Sequence, residues 1–526
     1  MKSLNTLRRG GSSWWALTSA HSRQLSTLPL TICQVLKQTP DAPPVSEPVT
    51  VHGWIKSIRK QKKYAFAEIR DGTSHRTLQA VIPADIAKLL NNGMSVSLHG
   101  KIVHTPKAPQ PMEISVSEME VLGECDPEKY PIQKQSLSTQ YLREHAHLRP
   151  RTSNVATMLR LRHKVSQYFH EYYEENGFYH VHPPILTPND CEGGGEVFRV
   201  RPEMDQASST FSPSSPTIPV STTSPALSTT ASTEFFAKPT FLTVSSQLHL
   251  ETLSASLSRV YTISPTFRAE ASQTNRHLSE FWMLEAEMSF AKNLDVIMDV
   301  VEGSIKHTLK RLAGGNGMMD ELMELKMSLE MGWEGKDSAV KTEGPPAWAA
   351  MMDKPWVRMT YTDAIQLIPT ISDTAKDPSL PPPPQWGDAL SSAHERLLAS
   401  HFNSPTFITH YPTSQKPFYM KLSPKSSSST TLTTDTVECF DLLVPTLGEL
   451  VGGSLREDRL DELSQAMLTH GLSPKEYSWY LDLRRYGSVP HGGFGIGFER
   501  LISWISGIEN VKECIAFPRW AGRMAG

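Results

Sequence analysis

Val260-Tyr261-Thr262-Ile263-Ser264-Pro265-Thr266-Phe267-Arg268-Ala269-Glu270 reads as an alternating strand that ends on an arginine and a glutamate. Residues two apart on a strand point the same way, so Arg268 and Glu270 share a face. A loop with Asn275, Arg276 and His277 follows, and Phe281-Trp282-Met283-Leu284-Glu285 opens a returning strand. Such a hairpin can hold ATP. Arg268 would neutralise charge developing at the α-phosphate, Phe281 would stack on adenine, and Glu270 and the His277 loop would hold the rest. Taken alone, the same pattern is better explained by ordinary surface ion pairs.

A second segment changes that balance. Gly492-Gly493-Phe494-Gly495-Ile496-Gly497-Phe498-Glu499-Arg500 ends a strand and starts a helix. Its glycines allow close approach of a nucleotide, and Arg500 near a helix N-terminus is placed for a terminal phosphate. The run lacks the Lys-Ser/Thr of a Walker loop and the ribose-binding acid of a dinucleotide fold.

Together these segments resemble motifs 2 and 3 of the class II aminoacyl-tRNA synthetases. Phe267 to Glu270 with His277-Leu278-Ser279-Glu280-Phe281-Trp282-Met283-Leu284-Glu285 resembles motif 2 of the asparaginyl members. Tyr480 to His491, running into the glycines, is similar to their motif 3 approach, and Asn189 to Glu196 to their loop after motif 1. The resemblance implies roles at matching positions. Arg268 and Arg500 would be catalytic, binding ATP with Glu270, His277, Phe281 and Gly497. Glu192, Ser245 and Gln247 would hold the backbone ends of the amino acid, and Arg456 would face its side chain. Asp441 and Glu449 would bind Mg2+, a hard cation suited to carboxylate oxygen. Phe66 and Gln79 would contact the anticodon of tRNA(Asn).

The aspartyl members share this scaffold and Arg456. They carry a lysine shortly after the glutamine of the substrate strand, where Gln247-Leu248-His249-Leu250-Glu251 has Leu250. Glu285 would accept a hydrogen bond from an amide and repel a carboxylate. Asparagine is therefore the expected substrate, with an aspartyl enzyme or a noncatalytic RNA-binding paralogue as alternatives. Gly194 and Ser246 depart from the alanine and glycine usual in the family.

Outside the motifs, Thr50 to Ile55, Tyr64 to Ile69 and Thr77 to Ile82 alternate with period two, with Asp71-Gly72-Thr73 as a turn. Further short strands around 95–104 and 112–121 suit an OB-fold barrel. The run Arg59-Lys60-Gln61-Lys62-Lys63 beside Tyr64 and Phe66 fits RNA contact and a solvated loop equally well. A helical pattern over about 154–176, then extended Phe178 to His182 and Pro183-Pro184, resembles motif 1, usually a dimer interface. The expected fold is α+β. An OB-fold anticodon-binding domain over 49–125 and a linker over 126–150 precede a class II catalytic domain over 151–526, with an antiparallel sheet flanked by helices. Low-complexity stretches at 205–234, 378–386 and 423–435 read as disordered surface insertions.

The chain has 526 residues, 39% of them hydrophobic, and a formal charge of −3, which argues against wholesale electrostatic wrapping of nucleic acid. It has no apolar run near the roughly 20 residues a bilayer demands, so no membrane partner is expected. Five scattered cysteines show no metal-ligand spacing and read as free thiols. From Met1 to Pro40 no acidic residue occurs, while Lys2, Arg8, Arg9 and Arg23 alternate with Leu, Trp, Ser and Thr. That is the pattern of a mitochondrial transit peptide, read over residues 1–26 and implying the mitochondrial matrix. The expected molecule is a homodimer that uses ATP and Mg2+ to join asparagine to tRNA(Asn).

Overall fold

The computed structural model describes residues 28–37, 48–105, 112–133, 135, 137–188, 196–202, 234–272, 274–315, 317–330, 346–375, 377–424 and 435–524. The segment read as a transit peptide, Glu192, and nearly all of 205–234 and 423–435 lie outside these residues. Two compact units divide the chain, Met1–Lys134 and Gln135–Gly526.

The first unit is a closed barrel of β1 (Val49–Lys60), β2 (Tyr64–Arg70), β3 (Leu78–Pro83), β4 (Ser95–His104) and β5 (Met112–Gly123), ordered β1-β2-β3-β5-β4. Alternation sets its inside: Ala65, Ala67 and Ile69 are buried, while Tyr64, Phe66 and Glu68 face outward. The unit begins earlier than residue 49. A helix, α1 (Ile32–Leu36), opens on a capping box between Thr31 and Gln34. It buries Ile32 and Val35 in the barrel core. The turn at Asp71 ties it down, since the Asp71 carboxylate accepts hydrogen bonds from the Ile32 amide at 2.7 Å and the Thr73 amide at 2.9 Å.

The second unit is built on a ten-stranded sheet. Along its central path run Cys439–Val444, Gly448–Leu455, His491–Gly497, Glu280–Ser289 and Arg259–Phe267, each antiparallel to the next. Among the described residues, parallel pairs occur only toward its ends, where Val357–Thr360 meets Thr406–Thr409 and Tyr179–His180 meets Arg259–Phe267. The long helix Ser153–Glu175 and the helix Leu294–Ala313 pack together and share the main core with one face of this sheet. Leu284, Ala286 and Met288 point into that core, so Met283, Glu285 and Glu287 are left to the opposite face.

Two boundary expectations change. The stretch 126–150 is not all linker, because Arg149 is fully buried in the second unit. Its guanidinium donates to Glu513 at 3.0 Å and to the backbone carbonyls of Lys512, Ile515 and Ala516. Nor is 378–386 a loose insertion. The Trp386 indole donates to Thr362 at 3.2 Å, and the Pro381 carbonyl lies 3.2 Å from His394 Nε2. Prolines there carry no ladder donor, but a short run can still lie extended against two helices.

Candidate active site

The sheet register lays out the floor of the site. Asp441 stands opposite Gly452, Gly452 opposite Gly495, and Gly495 opposite Glu285. One row across four strands therefore carries a carboxylate at each end and two glycines between. With strands about 4.8 Å apart, the two acids are separated by roughly 14 Å. A side chain at Gly452 would meet only ordinary contacts, the nearest at 3.7 Å, so no neighbour there demands glycine. Its smallness leaves the trough open. Gly493 serves the sheet instead. A methyl group there would overlap the Ala286 carbonyl and the Glu287 carboxylate. The glycines of this region thus serve two ends, Gly452 an open trough and Gly493 the packing of the sheet itself.

Two cavities open on this floor. One, of about 130 Å³, is lined by Arg268, Glu270, His277, Phe281, Gly497 and Arg500, all six residues expected to bind ATP. The other, of about 380 Å³, is lined by Ser245, Gln247, Glu285 and Arg456, with Leu250 and Asp441. Arg268, Met283, Glu449, Gly452 and Gly495 line both. The strand carrying Arg268 ends at Phe267, one residue short of it, yet the side chains still gather. Arg268 Nη1 lies 3.9 Å from Glu270, and its guanidinium sits 5.7 Å from the centre of the Phe281 ring. His277 Nε2 lies 3.6 Å from Glu270. Burial lowers the His277 imidazole, against the pull of Glu270.

The carboxylates are held in distinct ways. Glu285 is buried and accepts hydrogen bonds from Ser245 Oγ at 2.5 Å and from the Ser246 amide at 3.0 Å. Burial nevertheless pushes its carboxyl upward. Asp441 receives the Lys416 ammonium at 2.7 and 2.8 Å. Burial raises the Asp441 carboxyl although Lys416 pulls the other way. Glu449, half-buried, lies 3.2 Å from Arg500, and that arginine holds its carboxyl below the usual range. Above Gly452, Asp441 Oδ1 and Glu449 Oε1 are 3.7 and 3.8 Å from a common point, the position a β-carbon would take. Both carboxylates therefore border the trough at Gly452, and carboxylate oxygen is the donor type that a magnesium ion takes.

Residues 138–521 match the family described as tRNA synthetases class II (D, K and N), and residues 49–122 match the OB-fold nucleic acid binding domain. The chain belongs to the class II tRNA synthetases. Among relatives of this synthetase, an asparagine–tRNA ligase of Nostoc is 40% identical, covering 90% of the chain and 95% of the relative. The mitochondrial asparagine–tRNA ligase of Saccharomyces cerevisiae is also 40% identical, covering 90% and 92%. The crystal structure of asparaginyl-tRNA synthetase from Pyrococcus horikoshii, complexed with asparaginyl-adenylate, superposes with a TM-score of 0.75 at 28% identity, covering 95% of this chain and all of that one.

Several side chains of the synthetase site were given no role of their own in the sequence reading. Arg276 and Glu395 meet at 3.5 Å beside the first cavity, and Lys416 reaches Asp441 from a loop with no motif. Glu287 lines the second cavity beside Arg456, and Glu251 lies behind that lining. Glu251 was hidden by a misread element. Gln247 to Glu251 is the first turn of a helix, Gln247–Leu257, rather than a strand. Its buried residues Gln247, Leu248, Leu250, Glu251 and Ser254 follow helical spacing, which puts Gln247 and Glu251 on one face. In the barrel, Phe66 and Gln79 occupy one outer face beside the exposed turn 61–63, and Gln79 donates to Glu113 at 3.0 Å.

Proposed function

We propose that this chain activates asparagine with ATP and transfers it to tRNA(Asn). The observation that carries the reading is that Arg268 walls both cavities, so one guanidinium stands where a nucleotide phosphate and an amino-acid carboxylate would meet. In the first step, an asparagine carboxylate oxygen attacks the α-phosphorus, and the bond to the leaving pyrophosphate breaks. Arg268 neutralises the equatorial charge, and Arg500 neutralises the far end of the pyrophosphate. In the second step, the terminal ribose hydroxyl of the tRNA attacks the acyl carbon and AMP leaves. Neither step needs a covalent enzyme intermediate; positioning and charge do most of the work.

Asp441 and Glu449 would hold magnesium, which supplies charge neutralisation along the phosphate chain when bound. Glu270, His277, Phe281 and Gly497 would seat the nucleotide. Ser245 and Gln247, with Glu192 from the loop after motif 1, would take the ammonium and carboxylate. Glu285 would accept the side-chain amide N–H and Arg456 would donate to its carbonyl. Phe66 and Gln79 would receive the anticodon on the barrel. The asparagine–tRNA ligase relatives support the choice of amino acid.

Two finer readings accompany this one. A homodimer is supported by exposed apolar residues after the long helix, with Tyr179 58% and Leu186 41% exposed. A mitochondrial location is supported by the acid-free N-terminus and the yeast relative. Among the described residues no helix is long and apolar enough to cross a membrane.

ATP–pyrophosphate exchange with single amino acids tests the proposal. Exchange driven by asparagine is expected. Exchange driven only by aspartate would reassign the substrate, and exchange with no amino acid would leave an RNA-binding paralogue.

A further inference from the structure

Behind the wall that carries Arg456 lies a second layer of buried charge that the reaction above does not use. Glu251 is its centre. Its side chain is fully buried. Its carboxylate accepts hydrogen bonds from Arg484 Nη2 at 2.7 Å, from Tyr480 Oη at 2.8 Å and from Gln247 Nε2 at 3.2 Å. His491 Nε2 lies 3.0 Å away, and Arg456 Nε stands 3.9 Å away. Arg456 in turn donates to both oxygens of Glu287, at 2.8 and 3.2 Å, and to Ser454 Oγ at 2.6 Å.

Glu251, Glu287 and His491 stand close enough to embrace a metal ion. Arg484 and Arg456 already fill that space with guanidinium, so a cation would have to displace two buried arginines. The cluster is an internal ion-pair network instead. It matches two carboxylates with two guanidiniums, and a buried charge so matched is costly to disturb.

We propose that Glu251 is a positioning residue that sets substrate choice. It fixes Gln247 and Arg456 together, although these two side chains serve opposite ends of the amino acid. With Glu287 it also offsets the charge of Arg456, which keeps N–H donors for a neutral amide carbonyl but has little net charge left to attract a carboxylate. The inference rests on the asparagine reading of the site.

Exchange kinetics with asparagine, aspartate and ATP test it, using Glu251→Gln and Tyr480→Phe in the full-length chain. Glu251→Gln should raise the KM for asparagine about tenfold, as expected from losing one charged hydrogen-bond acceptor. It should narrow the asparagine-to-aspartate ratio of kcat/KM about tenfold and leave the KM for ATP within about twofold. Tyr480→Phe, which keeps every charge, should shift the same quantities the same way by about threefold, and it decides the matter if Glu251→Gln does not fold. Unchanged asparagine KM and unchanged ratio in folded variants would overturn the proposal. So would equal rises in the asparagine and ATP KM values, which a merely structural role produces. A wild-type chain giving no exchange with asparagine would overturn the proposed function instead.

Discussion

Lys416→Met should tighten the binding of a free divalent cation. In the structure the Lys416 ammonium lies 2.7 and 2.8 Å from the two oxygens of Asp441, with both side chains about 15% exposed. It also sits 4.0 Å over the Tyr411 ring. A cation arriving at Asp441 must first evict it. At an effective dielectric near 20, opposite charges 4 Å apart attract by about 4 kcal/mol. Much of that is offset by the cost of drying the ammonium, which leaves a barrier to metal entry of about 1–3 kcal/mol. Methionine keeps the length of the side chain and removes the charge, so Mn2+ affinity should rise about 10- to 100-fold. Electron paramagnetic resonance of Mn2+ titrated into the protein without nucleotide reads this directly and does not depend on turnover. The titration belongs at about pH 8, because burial already raises the Asp441 carboxyl and Lys416 is the main group opposing that shift. Equal or weaker Mn2+ binding by the variant would refute the reasoning and remove Lys416 as occupant of the proposed metal position.

Gly493→Ala should fail to fold or lose all exchange activity, since its methyl group would overlap the Ala286 carbonyl and Glu287. Gly497→Ala, whose nearest contact would be 3.5 Å, should remain soluble with a near-native melting temperature. Ile32→Ala should weaken the barrel by about 2–4 kcal/mol through the cavity left in its core. Hydrogen exchange over 49–123 should rise in this variant while the sheet of the second unit stays protected; unchanged barrel exchange would contradict the packing of α1. For Glu285, burial raises the carboxyl, so the neutral acid becomes more populated as pH falls toward that raised value. A neutral acid no longer repels a carboxylate and can donate to it, so preference for asparagine over aspartate should narrow as pH is lowered across the range in which the protein stays folded. A ratio flat across that range would count against Glu285 as the discriminating group.

The barrel strands, the long helix before Gly177 and the hairpin around Arg268 were legible because each follows a local period that a linear chain displays. Arg268, Phe281 and Arg500 were legible as candidates because they sit inside motifs that resemble those of the class II synthetases. Glu251 was not. The stretch Gln247 to Glu251 is too short and too apolar to separate strand from helix by pattern. Only packing against Tyr480 and Arg484, more than 200 positions away, makes it a helix with a buried acid.

By itself, then, the sequence determined which candidate reaction groups exist, and in what order, because motif spacing and strand alternation are local properties. Tertiary structure alone decided which charges face each other. It set Lys416 on Asp441, Glu287 on Arg456 and Glu251 between Gln247 and Arg456. Electrostatic strength depends on distance and burial, and neither is a function of position along the chain.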